Sequence, residues 1–364
     1  MGKIALCNIN YVDVASTAEH RKKAIVIKDD IIASIHDMTV FCPSSDIKCY
    51  DYESCWVIPG MIDMHSHVTL PYQPSEPEYY LAPNKIVDVS KKNLSDLRHI
   101  GITVCRDMGS YDNSAEWVKF SLSKGSSLPL LMTCGDILTY AQGHMHNYGS
   151  QICSDAEIPL AIELNKRCGC DFIKVTSDPS DTEACSRTLN PAFNEQTMRA
   201  IVQCATAHDL DVACHTYPSA EGVKRALKSG ARTIEHAVAF DESYGKDTYP
   251  NSYYVPTLAT ATDVCGIESL EGIVGIKNKE LLDTVCKLQS KEKCCDHPPE
   301  SIKEWLKILI EHLPFNIQSD QLLCIGSDSG CKGTDFYRNL SMKMRHFRQQ
   351  FSVAPVRYLV TPVC

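Results

Sequence analysis

Two histidines separated by one residue, His65 and His67, follow the apolar segment VIPGMIDM. If this segment is a strand, its two-residue period turns both imidazoles to the same side, where both can reach one cation. A lone His-x-His pair is a weak indication of metal binding, because surface and core histidines are common. A metal site therefore needs further ligands elsewhere in the chain.

Three more candidate ligands also stand at the ends of apolar runs. His215 closes DVACH, His236 closes RTIEH and Asp328 closes CIGSD. Polar side chains at the ends of buried strands cost stability unless they are paired or bind a ligand. Imidazole nitrogens and carboxylate oxygens are the ligands that zinc and similar divalent ions take. Together with the first pair, they predict a divalent metal site.

Lys174, within DFIKVTS, carries a charge that does not suit such a site. A buried lysine tends to lose its proton, and a neutral amine can react with carbon dioxide to give an anionic carbamate. The carbamate oxygens could join two metal ions. In the alternative interpretation, Lys174 forms an ion pair with an acidic neighbour such as Asp171 or Asp178.

The elements that must position these residues alternate in type. Short apolar segments alternate with stretches of helical periodicity, for example over 86–100, 198–205 and 220–227. Eight of the apolar segments are strand candidates, and eight parallel strands close a (β/α)8 barrel. The sequence therefore predicts an α/β fold of the TIM-barrel type, with the candidate ligands at the carboxyl ends of the strands. The eight candidates are VIPGMIDMHSH, ITVCRDM, PLLMTCG, DFIKVTS, DVACHTY, RTIEHAV, YYVPTL and LLCIGSD.

The chain divides by pattern into three parts. Residues 1–56 read as short strands with a turn at Asp29 and Asp30, which predicts the strands of a small β-sandwich. Residues 57–345 form the predicted barrel, which includes an amphipathic helix over 302–313. Residues 346–364 form a short tail.

Composition excludes several classes of protein. With 44% hydrophobic and 22% charged residues, the chain is typical of a globular protein. Its formal charge of -9 gives no basis for binding nucleic acid or an anionic membrane. There is no apolar run long enough to span a membrane, and the start MGKIALCNINYVDV does not resemble a signal peptide, so a cytoplasmic protein is expected. The 19 cysteines are interpreted mostly as buried thiols.

The segments PGMIDMHSH, FIKV, CHTY, IEHA and IGSDSG resemble, in order and setting, those of the amidohydrolase superfamily of metal-dependent (β/α)8 hydrolases. GITVCRDMG and QGHMHNYG are similar to segments of its imidazolonepropionase-related and prolidase-like dipeptidase group. The resemblance covers roughly residues 50–345.

The resemblance implies roles for individual residues. It implies two divalent ions, zinc foremost, although cobalt, manganese and iron accept the same ligands. His65 and His67 would bind the more buried ion with Asp328, His215 and His236 the more exposed one, and carbamylated Lys174 would bridge the two.

Other residues are expected around the metals. His144 resembles the family histidine that faces the substrate and supports the carbonyl oxyanion, the alternative being an ordinary loop histidine. Tyr217 could bind a substrate carboxylate or could be a buried structural tyrosine. Arg106 and Asp107 are expected to form an internal ion pair supporting the metal ligands, and Asp63 a further support.

The implied activity is hydrolysis of an amide C–N bond in a small molecule, a dipeptide of the Xaa-Pro type or an N-acyl amino acid. A hydroxide bridging the metals would attack, and Asp328 would serve first as general base and then as acid. Imidazolonepropionase is similar but is a one-metal enzyme without the bridging lysine, so Lys174 favours the two-metal interpretation. Two alternatives stay open: a one-metal cyclic-amide hydrolase or deaminase, and a catalytically silent binding or scaffold protein.

The C-terminus departs from the family pattern. Relatives usually return to the β-sandwich after the last barrel strand, whereas this chain ends soon after Asp328. The small domain is therefore expected to be incomplete or completed by another subunit. The resemblance also favours a homo-oligomer.

Overall fold

The structure is a computed structural model. It describes residues 2–14, 16, 18–70, 83–122, 126–141, 143–146, 149–177, 193–216, 220–236, 248–257, 260, 307, 324–330 and 358–359. The predicted helix over 302–313 lies outside these residues, except for position 307.

The first part of the chain forms a six-stranded sheet around a central strand, β1. Antiparallel pairing joins β1 to β2 and β2 to β3, while β4 and β5 pair with β1 in parallel. Asp29 and Asp30 connect β2 to β3 with positive φ angles of 49° and 64°, the conformation of a tight hairpin turn, as the sequence predicts. The strands are β1 (Lys3–Val12), β2 (Glu19–Lys28), β3 (Ile31–Asp37), β4 (Ile47–Asp51) and β5 (Trp56–Val57).

The C-terminal tail contributes one short strand to this sheet. Strand β15 (Tyr358–Leu359) pairs in parallel with β5. The expectation that the tail does not return to the small domain is therefore wrong for these two residues, because the free edge of β5 accepts them. Within the described residues, this part of the chain forms one sheet, and the second sheet of the predicted sandwich is not among them.

The rest of the chain builds parallel strands that alternate with helices. The strands are β6 (Met61–Ser66), β7 (Ile102–Asp107), β8 (Leu130–Thr133), β9 (Ile137–Tyr140), β10 (Gly149–Ile152), β11 (Phe172–Thr176), β12 (Asp211–His215), β13 (Thr233–Glu235) and β14 (Tyr253–Val255). The helices are α1 (Pro83–His99), α2 (Ser114–Ser121), α3 (Ile158–Arg167), α4 (Glu195–Ala207) and α5 (Ala220–Ser229). Strands β6, β7 and β8 form one parallel sheet, and β10-β9-β11-β12-β13-β14 form a second. Seven of the eight predicted strands are present.

The third predicted strand, PLLMTCG, corresponds to β8, and a bend after it leads into an additional strand, β9, that the sequence does not predict. Strand β8 pairs with β7, β9 pairs with β11, and between them Gly135 takes a φ of 68°. The Glu116 carboxylate accepts a hydrogen bond from the Gly135 amide at 2.7 Å, and the Asn165 side chain binds the Asp136 backbone on both sides. Strands β8 and β9 thus link the smaller parallel sheet to the larger one through a bent connection.

The eighth predicted strand is irregular. The Cys324 amide donates to the Tyr254 carbonyl at 2.7 Å, and the Met64 amide donates to the Ile325 carbonyl at 2.9 Å. These bonds place residues 324–329 between β14 and β6, where the eighth strand is expected. The segment forms only a bridge to Ser66, because Asp328 takes a left-handed φ of 54° that ends extended pairing.

The helices pack the faces that the sequence predicts. In α4, Met198, Ile201 and Ala205 are buried, and the Asn194 side chain caps the helix by accepting from the Thr197 amide at 2.8 Å. Among the described helices, none has the length and apolar character needed to cross a membrane.

The described cysteines are free thiols, and fewer of them are buried than expected. Five of these twelve are buried, four are exposed and three are intermediate. Burial raises the pKa of Cys105 and of Cys134 well above the ordinary thiol value, so these two thiols stay protonated.

Candidate active site

The predicted metal ligands meet at one end of the parallel strands. His65 lies in β6 and His67 follows it, His215 ends β12, and His236 follows β13. Asp328 lies beside β6, where its amide donates to the His65 carbonyl at 2.6 Å. All five side chains are buried. Residues that are far apart in the sequence thus form one cluster.

Asp328 is the centre of this cluster. One of its carboxylate oxygens, Oδ1, lies 3.4 Å from Nε2 of His65 and 3.5 Å from Nε2 of His67. The His236 ring lies 4.7 Å from the His65 ring and 4.5 Å from the His215 ring, measured between centroids. The four imidazoles therefore form a continuous group beside one carboxylate.

Three of the four imidazole rings are held through Nδ1, the ring nitrogen that is not directed at the cluster. Nδ1 of His65 donates to Glu235 Oε2 at 2.7 Å, and Nδ1 of His67 donates to the Gly109 carbonyl at 2.9 Å. Nδ1 of His236 lies 2.7 Å from the Thr257 hydroxyl. Each contact leaves Nε2 available, which is the usual arrangement of metal-binding histidines.

This donor set fits a divalent cation. Ligand atoms of His65, His236 and Asp328 all lie within 4.8 Å of one another. Burial, together with neighbouring imidazoles, lowers the pKa of His215 and of His236 well below the ordinary value, so both rings are neutral, as metal ligation requires. Burial opposes ionisation of Asp328, yet His65 and His67 hold the pKa of its carboxyl well below its usual range. The site thus combines neutral nitrogens with one carboxylate.

Lys174 lies at the centre of β11 and is buried, with 1% of its surface exposed. Burial lowers the pKa of its amine, although the charges of Glu235 and Asp328 partly oppose this shift. The alternative pairing with Asp171 is wrong, because that carboxylate binds the Lys119 amine at 2.7 Å and the Thr133 amide at 2.8 Å. Asp178, the other alternative partner, lies outside the described residues.

Of the two predicted substrate-binding residues, the structure describes His144 but not Tyr217. The His144 ring stacks on the His215 ring, with 4.4 Å between centroids. The His144 carbonyl accepts hydrogen bonds from the hydroxyls of Thr139 and Thr176, both at 3.0 Å, which fixes the loop against β9 and β11. Tyr217 lies outside the described residues.

Arg106 and Asp107 support the site separately. The expected ion pair between Arg106 and Asp107 is wrong, because the partner of Arg106 is Glu235, whose Oε1 lies 3.9 Å from Arg106 Nη1. The Asp107 carboxylate instead accepts from the amides of Val68 at 2.8 Å and Gly109 at 3.0 Å. Burial raises the pKa of Asp107 to about 7. Asp107 thereby connects the turn after β7 to the turn after β6. The turn after β7 carries the Gly109 carbonyl that binds His67.

Asp63 holds the segment that carries Asp328. Its carboxylate accepts from the Ser327 amide at 2.9 Å and from the Ser327 hydroxyl at 2.5 Å. It is fully buried, so the expected supporting role has a direct structural basis.

Replacing Asp63 by alanine should lower the free energy of unfolding by about 2–3 kcal/mol, because the buried Ser327 amide loses its acceptor. Urea denaturation monitored by circular dichroism measures the change. Asp46→Ala, which removes an exposed ion pair with Lys3 and an exposed hydrogen bond from the Ser44 hydroxyl, is the control and should leave the midpoint nearly unchanged. Equal midpoints for the two variants would contradict the anchoring role of Asp63.

Sequence reasoning did not single out Glu235 or Thr257, although both hold ligand histidines. Glu235 carried a usable signal, since a carboxylate within a short, apolar, buried strand requires a partner. Thr257 carried none, because its role depends on how β14 lies beside β13.

Parallel strands with a buried cluster of histidines and a carboxylate at their ends define a protein of the metal-dependent TIM-barrel type. The sequence model of the amidohydrolase family matches residues 56–275, about three fifths of the chain. The chain therefore belongs to the amidohydrolase family, a class of hydrolases that act on carbon–nitrogen bonds.

Similar curated proteins come from mycobacteria. An uncharacterized protein of Mycobacterium bovis is 22% identical over 222 residues, which make up 61% of this chain and 55% of that protein. An uncharacterized protein of Mycobacterium tuberculosis gives the same values. The match thus spans little more than half the length of these relatives.

Solved structures share the fold. A Xaa-Pro dipeptidase with bound methionine superposes with a TM-score of 0.74 at 21% identity, covering 95% of this chain and 84% of that one. A prolidase complexed with N-methylphosphonate-L-proline gives 0.72 at 21% identity, covering 95% and 83%. The ochratoxinase of A. niger gives 0.71 at 16% identity, covering 98% and 81%. At these identities the likeness concerns the fold, a TIM barrel with parallel strands.

Proposed function

We propose that this protein is a metal-dependent hydrolase that cleaves the amide C–N bond of a dipeptide, of the Xaa-Pro type, or of an N-acyl amino acid. One observation carries the proposal. Four histidines and Asp328 are buried together at the ends of the parallel strands, Lys174 is buried within β11, and three of the rings are fixed through Nδ1. Such an arrangement is typical of a metal site that binds substrate at the mouth of a barrel.

The residues divide into two sets of ligands for two divalent ions. His65, His67 and Asp328 would hold one ion, and His215 and His236 the other. Lys174 would join them as a carbamate, a role supported by its burial and by the lowered pKa of its amine. When bound, such ions polarise a carbonyl oxygen and make a water molecule more acidic.

The chain's own groups would move the proton and bind the substrate. Asp328 would accept the proton of the attacking water and donate it to the leaving amine, since its carboxylate is ionised and faces the ligand nitrogens. His144, stacked on His215, would donate a hydrogen bond to the carbonyl oxygen as negative charge develops there. Tyr217 would bind the free carboxylate of the substrate.

A second candidate function is a one-metal hydrolase of cyclic amides, or a deaminase. One observation favours it: ligand atoms of three described residues, His65, His236 and Asp328, lie close enough together to hold a single ion. In this case Lys174 would be structural.

The test combines metal content with a substrate panel. The protein is purified without chelator, supplied with bicarbonate, and its metal content is measured by elemental analysis. We expect two divalent ions per chain, and amine release from Xaa-Pro dipeptides or N-acyl amino acids that stops when a chelator removes the metal. One ion with cyclic-amide hydrolysis would favour the second candidate. A metal-loaded protein without turnover on any of these substrates would indicate a binding or scaffold role.

A further inference from the structure

Glu235 connects directly to a predicted metal ligand. It ends β13, immediately before His236, and its side chain is fully buried. One carboxylate oxygen, Oε2, accepts the Nδ1 proton of His65 at 2.7 Å. The other, Oε1, accepts from the Thr233 hydroxyl at 2.5 Å. Both oxygens of Glu235 are thus occupied, one by the ligand and one by its own strand.

Arg106 supplies the countercharge from the opposite side. It belongs to β7, is 6% exposed, and places Nη2 3.4 Å from the Thr233 hydroxyl and Nη1 3.9 Å from Glu235 Oε1. Its guanidinium lies over the Phe172 ring, 4.3 Å from the centroid, which fixes the plane of the cation. The network therefore spans β6, β7, β11 and β13.

Stability alone is a poor explanation of this network. A buried ion pair gains little or nothing over well-packed apolar side chains, because both charges lose their hydration. Apolar side chains in place of Glu235 and Arg106 could fill the same space between the strands. Glu235 binds His65 on its Nδ1 side, and Arg106 lies beside Glu235. These charged groups are better explained by the orientation that they give to the His65 ring.

We propose that Glu235 is a positioning residue of the metal site, which fixes the His65 ring so that Nε2 faces Asp328 and the cation. Thr233 and Arg106 hold Glu235 in place. This role rests on the proposed metal dependence, and it is independent of which amide is the substrate.

Substitutions at position 235 distinguish the effect of the hydrogen bond to His65 from the effect of the carboxylate charge. Glu235→Ala removes the acceptor, so the His65 ring loses its orientation and the affinity for a divalent ion should fall by about 10–100-fold. Glu235→Gln keeps an acceptor oxygen, so the affinity should stay within a few-fold of the native protein. Glu116→Ala is the matched control, since Glu116 is also buried but binds the Gly135 amide rather than a ligand.

The experiment is competition for Co²⁺ between each apo-protein and a chelator, together with the thermal midpoint of the apo-protein. We expect weak binding in Glu235→Ala alone, and a lowered midpoint with native affinity in Glu116→Ala. Native affinity in Glu235→Ala, or equally weak binding in Glu235→Gln and Glu235→Ala, would overturn the positioning role while leaving the proposed function intact. If the native protein binds no Co²⁺, both proposals are wrong.

A further variant covers the case in which Glu235→Ala does not fold. Thr233→Val removes only the hydroxyl that Glu235 Oε1 binds, so the carboxylate gains freedom and the Co²⁺ affinity should fall several-fold. Unchanged affinity in a folded Thr233→Val protein would then count against the network.

Discussion

Replacing Asp328 by asparagine should lower kcat by about 10³-fold while the protein keeps its metal. Asparagine has nearly the same shape and retains an oxygen that can bind a cation, but its amide cannot accept the proton of the attacking water. The backbone should also be preserved. Asp328 takes a left-handed φ of 54°, a conformation that asparagine tolerates better than most residues.

The Asp328→Asn prediction is checked by measuring kcat on the best Xaa-Pro or N-acyl substrate, with metal content determined on the same sample. Asp46→Asn, an exposed aspartate in the first sheet, is the matched control and should keep full activity. Normal turnover in Asp328→Asn would rule out Asp328 as the base. Loss of metal together with turnover would show that Asp328 acts chiefly as a ligand.

The ligand cluster could be predicted because it follows from two short-range rules. Apolar runs of strand length predicted the strands, and the carboxyl ends of parallel strands meet at one side of the fold. His215 and His236 therefore had to lie close together once β12 and β13 paired. The two-residue period similarly predicted that the side chains of His65, in β6, and His67, just after it, lie on the same side of the chain.

The deviations from regular strands could not be predicted, since distant residues determine them. The interruption between β8 and β9 depends on Glu116 from α2 and Asn165 from α3, which satisfy the backbone there. The irregular segment around Asp328 depends on Asp63, more than 200 positions earlier in the chain. The local pattern of apolar residues indicates neither contact.

The supporting residues behind the ligands are another such case. Glu235 is one residue away from His236, yet it holds His65, which lies on a different strand. Strand alternation turns neighbouring side chains to opposite sides, so the sequence alone connects Glu235 to no particular ligand. Strand pairing had to be known first.

Replacing Lys174 by alanine should reduce the metal content from two ions per chain to one or none. The carbamate would supply oxygen ligands to both ions, and alanine supplies no ligand. Turnover should fall accordingly.

Elemental analysis of the Lys174→Ala and native proteins, both supplied with bicarbonate, gives the metal count. Labelling with ¹³C-bicarbonate should give a carbamate carbon signal in the NMR spectrum of the native protein that is absent from Lys174→Ala. Lys119→Ala is the matched control, because Lys119 binds Asp171 outside the ligand cluster and should keep both the metals and the signal. One ion in both the native protein and Lys174→Ala, with no carbamate signal, would make Lys174 structural. The one-metal reaction on a cyclic amide or a deamination would then become the better hypothesis, since His65, His236 and Asp328 suffice for a single ion.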